Sequence, residues 1–267
     1  LNIPKIAENL YVKCENLQKT GSFKLRGATY KISKLTDAEK AAGVIAASAG
    51  NHAQGVALSA TNMGVKSVIC MPAGAPLAKV EATKGYGAEV VLVPGAFDDA
   101  AAKAVELQKE FGYTFAHPYN DDYVMAGQGT IGIEIMEQAP DADCVIVPIG
   151  GGGIASGIAY AIKQIKPECT VIGVQADEAS AMVNSIRSGV LGTTATANTI
   201  ADGCAVKAPG DKTFAVCKEY LDDVVSVSEE AIAIAMLALA EKGKVVAEGA
   251  GAMPTAAVMS GKVDASK

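Results

Sequence analysis

The chain has 267 residues, of which 50% are hydrophobic, 5% are aromatic and none is Trp, and it carries a formal net charge of −6. The acidic balance argues against a nucleic-acid surface, the apolar stretch 231–240 is too short to span a bilayer, and the N-terminus lacks a signal-peptide pattern. Six scattered cysteines with no C-x-x-C pair read as reduced, mostly structural thiols of a cytoplasmic protein, and the length suffices for one large core or two smaller ones.

Residues 10–15 alternate around Tyr11, Val12 and Lys13 and predict a short strand. Thr20-Gly21-Ser22 is a turn and helix-start signature, which puts Lys24 in the first turn of a helix running to about Leu35. Residues 44–48 read as a strand, Ser48-Ala49-Gly50-Asn51-His52 as a loop, and 53–63 as a helix. Strands are expected again at 67–71 and 89–93, a short extended piece at 114–117, and helices at 76–86, 98–111 and 121–137. The apolar run 145–149 then predicts a buried strand, followed by four consecutive glycines and a helix over 154–165. Beyond it come a strand at 170–175, a helix at 180–188 stopped by Gly189, and a long Gly- and Thr-bearing connection over 190–210. A helix at 211–221, a strand at 223–227, a helix at 228–242 capped by Gly243 and a final helix from 249 to about 260 complete the series. Alternation of this kind means βαβ units, an α/β class with mostly parallel sheets, and ligands bound outside the carboxyl ends of the strands.

Three places on that frame carry chemistry. A lone helix lysine is ordinarily solvated surface, but near a helix N-terminus positive charge is disfavoured. Lys24 is therefore placed where the neutral amine, the form a nucleophile or base requires, is favoured. The loop 48–52 adds Ser and Asn side chains to the amides of a helix start and suits a carboxylate or other small anion. Asn51 reads equally as an ordinary helix cap, and His52 as a surface or first-turn histidine. Gly150 to Gly153 lie between a buried strand and a helix, where side chains would obstruct the approach of a phosphate to backbone amides. Gly150-x-Gly152-x-x-Ala155 also fits a dinucleotide fingerprint. That motif wants an acid about 20 residues later, and the nearest, in Gln175-Ala176-Asp177, is displaced.

Ser22-Phe23-Lys24-Leu25-Arg26-Gly27-Ala28, Ser48-Ala49-Gly50-Asn51-His52-Ala53-Gln54-Gly55 and Gly150 to Gly153 resemble, in that order, the pyridoxal-phosphate enzymes of the tryptophan-synthase-β fold type (fold type II). More narrowly, they resemble the serine/threonine dehydratase family. Gly127-Gln128-Gly129-Thr130, Ala201-Asp202-Gly203 and Glu248-Gly249-Ala250-Gly251 extend the resemblance over essentially the whole chain. It implies two open, mostly parallel twisted sheets flanked by helices. A large cofactor-binding domain is expected from 1–42 and 121–267, with a small mobile domain, 43–120, inserted into it. The implied cofactor is pyridoxal 5'-phosphate, with Lys24 forming a Schiff base to its aldehyde and serving as the catalytic base. Gly150, Gly151, Gly152 and Gly153 would cradle its phosphate and Asn51 would meet its ring hydroxyl. Ser48, Asn51 and His52 would hold the substrate carboxylate.

The implied activity is that of a threonine dehydratase (threonine ammonia-lyase) in threonine catabolism or isoleucine biosynthesis. It converts L-threonine or L-serine to 2-oxobutanoate or pyruvate with release of ammonia. Cysteine synthases resemble one another around other strings, absent here. Serine racemases, the alternative, carry a second serine where this chain has Ala49, and bind a divalent metal through acids at positions that match Gln175 and Ala181. No metal is expected. The resemblance further implies a homo-oligomer, dimer or tetramer, with AMP a possible effector at a subunit interface, and neither nucleic-acid nor membrane partners. The family continues into a Ser-Gly-Gly-Asn segment whose hydroxyl partners the cofactor's pyridine nitrogen, and no such segment occurs in these 267 residues. With Leu rather than Met at position 1, a fragment that binds cofactor or nucleotide without turnover is a further reading.

Overall fold

The computed structural model describes residues 1–265. They form two compact units: Leu17–Gln128, and Leu1–Asn16 together with the chain from Gly129 onward.

The first unit opens with α1 (Lys24–Ser33) and α2 (Asp37–Ala42), followed by β1 (Val44–Ala47), α3 (Asn51–Asn62), β2 (Ser67–Pro72), α4 (Leu77–Gly85), β3 (Glu89–Val93), α5 (Phe97–Phe111) and β4 (Thr114–Phe115). Its four strands are ordered β3-β2-β1-β4, and every pair is parallel, with Val44 opposite both Ser67 and Thr114. β1 is buried at all four positions, as a strand covered on both faces must be. The period-2 alternation sorts its side chains. Val44 and Ala46, with Ile69 and Met71 of β2, pack against Ala28 and Ile32 of α1 and Val56, Ala57 and Ala60 of α3. Ile45 and Ala47, with Val68 and Cys70, face Ala100 and Ala104 of α5.

The unit boundary falls within α6 (Asp122–Gln138). The Asp121 carboxylate accepts from the amides of Tyr123 and Val124 at 2.9 and 3.1 Å and so caps α6. It also pairs with Lys31 of α1 at 2.6 Å, fixing α1 to the start of α6. The second unit continues with β5 (Cys144–Pro148), α7 (Gly153–Ile165), β6 (Thr170–Ala176), α8 (Ala181–Ser188), α9 (Asp211–Tyr220), β7 (Asp223–Val227), α10 (Glu229–Ala238) and α11 (Gly249–Met259). Its sheet is β5-β6-β7, again parallel throughout, with Val174, Ala176, Val225 and Val227 packed against Ile232 and Ala235 of α10 and Met253 and Ala256 of α11. No helix among the described residues is long and apolar enough to cross a membrane.

Three expectations need correcting. The strand at 10–15 reduces to one antiparallel bridge, Asn2 to Tyr11, because no neighbouring strand extends the ladder. α2 was not anticipated, although its Thr36-x-x-Glu39 capping box is closed in both directions, Thr36 N to Glu39 Oε2 at 2.8 Å and Glu39 N to Thr36 Oγ1 at 3.3 Å. α10 gives way to a widened π turn over Leu239–Gly243, and Lys244, not Gly243, takes the left-handed conformation (φ 56°). Within the first unit, α1 lies flush against α3. A Cβ on Gly55 would come within 3.0 Å of the Lys24 carbonyl carbon.

Candidate active site

Lys24 is the first residue of α1, so its side chain stands at a helix start whose amide of Gly27 is satisfied from a distance. The buried Gln128 offers its Oε1 to Gly27 N at 3.1 Å. Lys24 Nζ donates to the Pro118 carbonyl at 2.8 Å and lies 5.3 Å from the Phe23 ring centre. Two residues before it, Ser22 buries a hydroxyl that no acceptor among the described residues meets.

The loop 48–52 is close by. The Ser48 hydroxyl accepts from Gly50 N at 3.2 Å, tightening the turn before α3, whose first residue is Asn51. His52 is buried and donates from Nε2 to the Ala116 carbonyl at 2.8 Å. Burial first, then the nearby Lys24 charge, push its pKa down to about 3, so the ring is neutral at any ordinary pH. Its imidazole is thus committed to holding the segment after β4. Ala116 receives His52 and Pro118 receives Lys24, so one short stretch anchors both. The same stretch is stiffened by His117 Nδ1, which accepts from the amides of Tyr119 and Asn120 at 3.2 and 2.8 Å. In this unit Lys24 lies near enough to His52 for its charge to act on the ring, and Ser48 and Asn51 belong to the turn and helix start that lead into His52.

In the other unit, Gly150 to Gly153 are buried between β5 and α7. Their carbonyls are occupied. Gly150 O lies 3.5 Å from Gln175 Nε2, Gly151 O accepts from Thr213 Oγ1 at 2.6 Å, Gly152 O from Ser156 N at 2.9 Å and Gly153 O from Ser156 Oγ at 3.1 Å. Cys217 Sγ also reaches Gly152 O at 3.8 Å, and burial raises that thiol to about 12, so it keeps its proton. By contrast, the amides of Gly150 to Gly153 donate to no protein acceptor among the described residues. A buried amide does not stay unpaired without a ligand or water. Gly152 has φ +97°, and a Cβ there would meet Met182 Cε at 2.6 Å and Thr213 Cβ at 2.8 Å. Only glycine suits that position. Free amides at a helix start, in a cradle that a side chain would fill, fit a phosphate monoester.

Sequence reasoning missed the supports within each unit. Pro118, Ser156 and Thr213 lie in no motif, and their contacts close across up to 94 residues. Gln128 does belong to the Gly127–Thr130 motif, but nothing in that string announces a bond to Gly27.

Each unit, taken by itself, thus offers one feature: a lysine at a helix start near the 48–52 loop in the first, and a glycine run with unpaired amides in the second. The family described as pyridoxal-phosphate dependent enzymes matches residues 2–267, and the chain belongs to that family. It is 53% identical over 251 residues to the L-threonine ammonia-lyase of Thermotoga maritima, covering 94% of this chain and 63% of that protein. It is 53% identical over 255 residues to the catabolic L-threonine dehydratase TdcB of Escherichia coli K12, covering 96% and 78%. Among solved structures, the processed form of threonine deaminase isoform 2 from Solanum lycopersicum superimposes with a TM-score of 0.94 at 39% identity, covering 96% of this chain and 72% of that one. Maize serine racemase gives 0.91 at 39% identity, covering 94% and 76%. The cofactor is pyridoxal phosphate, and the fold is that of fold type II.

Proposed function

We propose that the protein catalyses the α,β-elimination of L-threonine, and of L-serine, to a 2-oxo acid and ammonia. The observation that carries this reading is the 53% identity to proteins named for threonine ammonia-lyase and threonine dehydratase activity, over 94–96% of the chain. Fold alone does not separate this from racemisation, since a serine racemase superimposes nearly as well as a threonine deaminase. Ala49 does. Racemisation needs a proton donor on each face of the carbanion, whereas elimination needs a base on one face and a departing hydroxyl. The methyl at position 49 donates nothing.

Pyridoxal phosphate, when bound, supplies an electron sink for charge developing at Cα. The chain supplies the rest. Lys24 Nζ would hold the cofactor covalently until the substrate amine displaces it, and the freed amine would then take the Cα proton. Its standing bond to the Pro118 carbonyl keeps the amine at the start of α1. Gly150, Gly151, Gly152 and Gly153 hold the phosphate through their amides, Asn51 meets the ring hydroxyl, and Ser48 and Asn51 bind the substrate carboxylate. His52 contributes its backbone amide at the α3 start, since its ring is taken by Ala116. Segment 43–120 moves as the closing domain. A homo-oligomer with AMP at a subunit interface, and a cytoplasmic setting suited to six free cysteines, complete the reading. The test is direct assay of the purified chain, loaded with cofactor, on L-threonine and L-serine. Formation of 2-oxo acid with equimolar ammonia is expected, and cofactor binding without either product would overturn the assignment.

A further inference from the structure

Each amide of the tetraglycine belongs to a peptide unit whose carbonyl is the preceding residue's. The unit is planar and trans, so its N–H and C=O point in opposite directions. A hydrogen bond that fixes the Gly151 carbonyl therefore also aims the Gly152 N–H, and polarises it. The strongest of these fixing bonds comes from Thr213, the third residue of α9. It is fully buried, its Oγ1 lies 2.6 Å from Gly151 O and 3.1 Å from Gly210 O, and its Cβ fills the space where a Gly152 side chain would be. A hydroxyl has one proton to give, and the shorter contact takes it. The alternative donor to Gly151 O, Gly210 N, is 3.4 Å away.

We infer that Thr213 is a positioning residue for cofactor phosphate: it holds the Gly151–Gly152 peptide so that the Gly152 amide meets the phosphate. The inference rests on the tetraglycine being the phosphate cradle. It goes further by assigning the cradle's selectivity to a side chain that never touches the cofactor.

Dissociation constants of pyridoxal 5'-phosphate and of pyridoxal, measured on the apo protein by cofactor absorbance, separate the two ideas. Their ratio reports phosphate recognition alone. The unsubstituted chain should favour the phosphorylated form strongly. Thr213→Val keeps the shape and removes the hydroxyl. It should lower the ratio by about tenfold, equivalent to about 1.4 kcal/mol, with pyridoxal affinity little changed. Thr213→Ser should restore the ratio. Equal weakening of both ligands, or an unchanged ratio, in the valine variant would overturn the inference while leaving the cradle intact. No preference for the phosphorylated form in the unsubstituted chain would overturn the cradle itself, and the inference with it. If the valine variant does not accumulate folded, Thr213→Cys, a weaker donor, is compared with Thr213→Ser, and equal ratios in those two refute the role.

Discussion

At the scale of single residues, Lys24 and His52 show how much a motif tells and where it stops. The string and the helix start single out Lys24 as the proposed cofactor lysine, and the structure adds that its amine donates to Pro118 while Lys31 is engaged by Asp121. Borohydride reduction of the cofactor-loaded protein followed by peptide mapping should therefore mark Lys24, and Lys24→Ala should lose the near-visible cofactor band. An adduct on Lys19 or Lys31 would refute the assignment. His52 was legible only as a residue near an anion loop. Its bond to Ala116 depends on the segment just after β4, 64 residues away in sequence. Because its folded pKa, about 3, is far below the unfolded value near 6.5, the unfolded state takes up the proton first as pH falls. Its contribution to stability is intact above about pH 6.5 and falls between there and about pH 3, by at most roughly 1.4 kcal/mol per pH unit. Denaturant titrations at pH 7, 6 and 5 should show a smaller loss in His52→Gln, whose amide can still reach Ala116. Identical pH slopes would show that His52 is not the group responsible.

At the scale of elements, the inner strands β1, β2 and β6 were readable because a parallel strand buried on both faces is a short apolar run, and the edge strands β3, β5 and β7 because β-branched residues are concentrated in them. The strand expected at 10–15 had the alternation but no partner, and pairing is not a local property. α2 carried a readable capping box and was passed over because its six residues show too little apolar periodicity. The approach of α1 to α3 was not readable at all. A methyl on Gly55 would press on backbone atoms of Lys24 and Leu25 at 3.0 to 3.1 Å, so α1 must yield by a few tenths of an ångström. Gly55→Val, which adds bulk and a β-branch, should cost about 1–3 kcal/mol of stability as overpacking does. It should also lower the yield of borohydride-fixed cofactor on Lys24 at fixed cofactor concentration. A variant as stable and as readily labelled as the parent would mean that helix contact has no bearing on the lysine. In the tetraglycine, Gly152→Ala combines a left-handed backbone with an overlap on Met182 and Thr213. It should weaken cofactor binding at least about tenfold, 1.4 kcal/mol. Retained affinity in equilibrium dialysis would count against the cradle.

At the scale of the whole molecule, the α/β class and two parallel sheets followed from the order of elements, whereas the chemistry followed only when three separate motifs were taken together. One position, Ala49, then carries the choice between two outcomes on one fold. L-Serine and L-threonine should yield 2-oxo acid with little D-amino acid, and Ala49→Ser should raise the racemised fraction if its hydroxyl faces Cα. Chiral chromatography run beside an oxo-acid assay decides it. Predominant D-serine from the unsubstituted chain would overturn the choice of elimination while the family stands.

The bonds behind the tetraglycine also set an order of assembly. Ser156 is near in sequence, but Gln175, Thr213 and Cys217 lie 25, 62 and 65 residues downstream of the carbonyls they approach. A nascent chain that has emerged only as far as α7 possesses all four glycines but, of these bonds, only those that Ser156 makes to Gly152 and Gly153. The glycines themselves, having the most backbone freedom to lose, resist ordering until those partners arrive. On the proposed reading of the tetraglycine, recognition of phosphate is acquired late, when α9 docks. A chain halted on the ribosome with α7 exposed and α9 still unmade should ignore the cofactor that the finished protein retains.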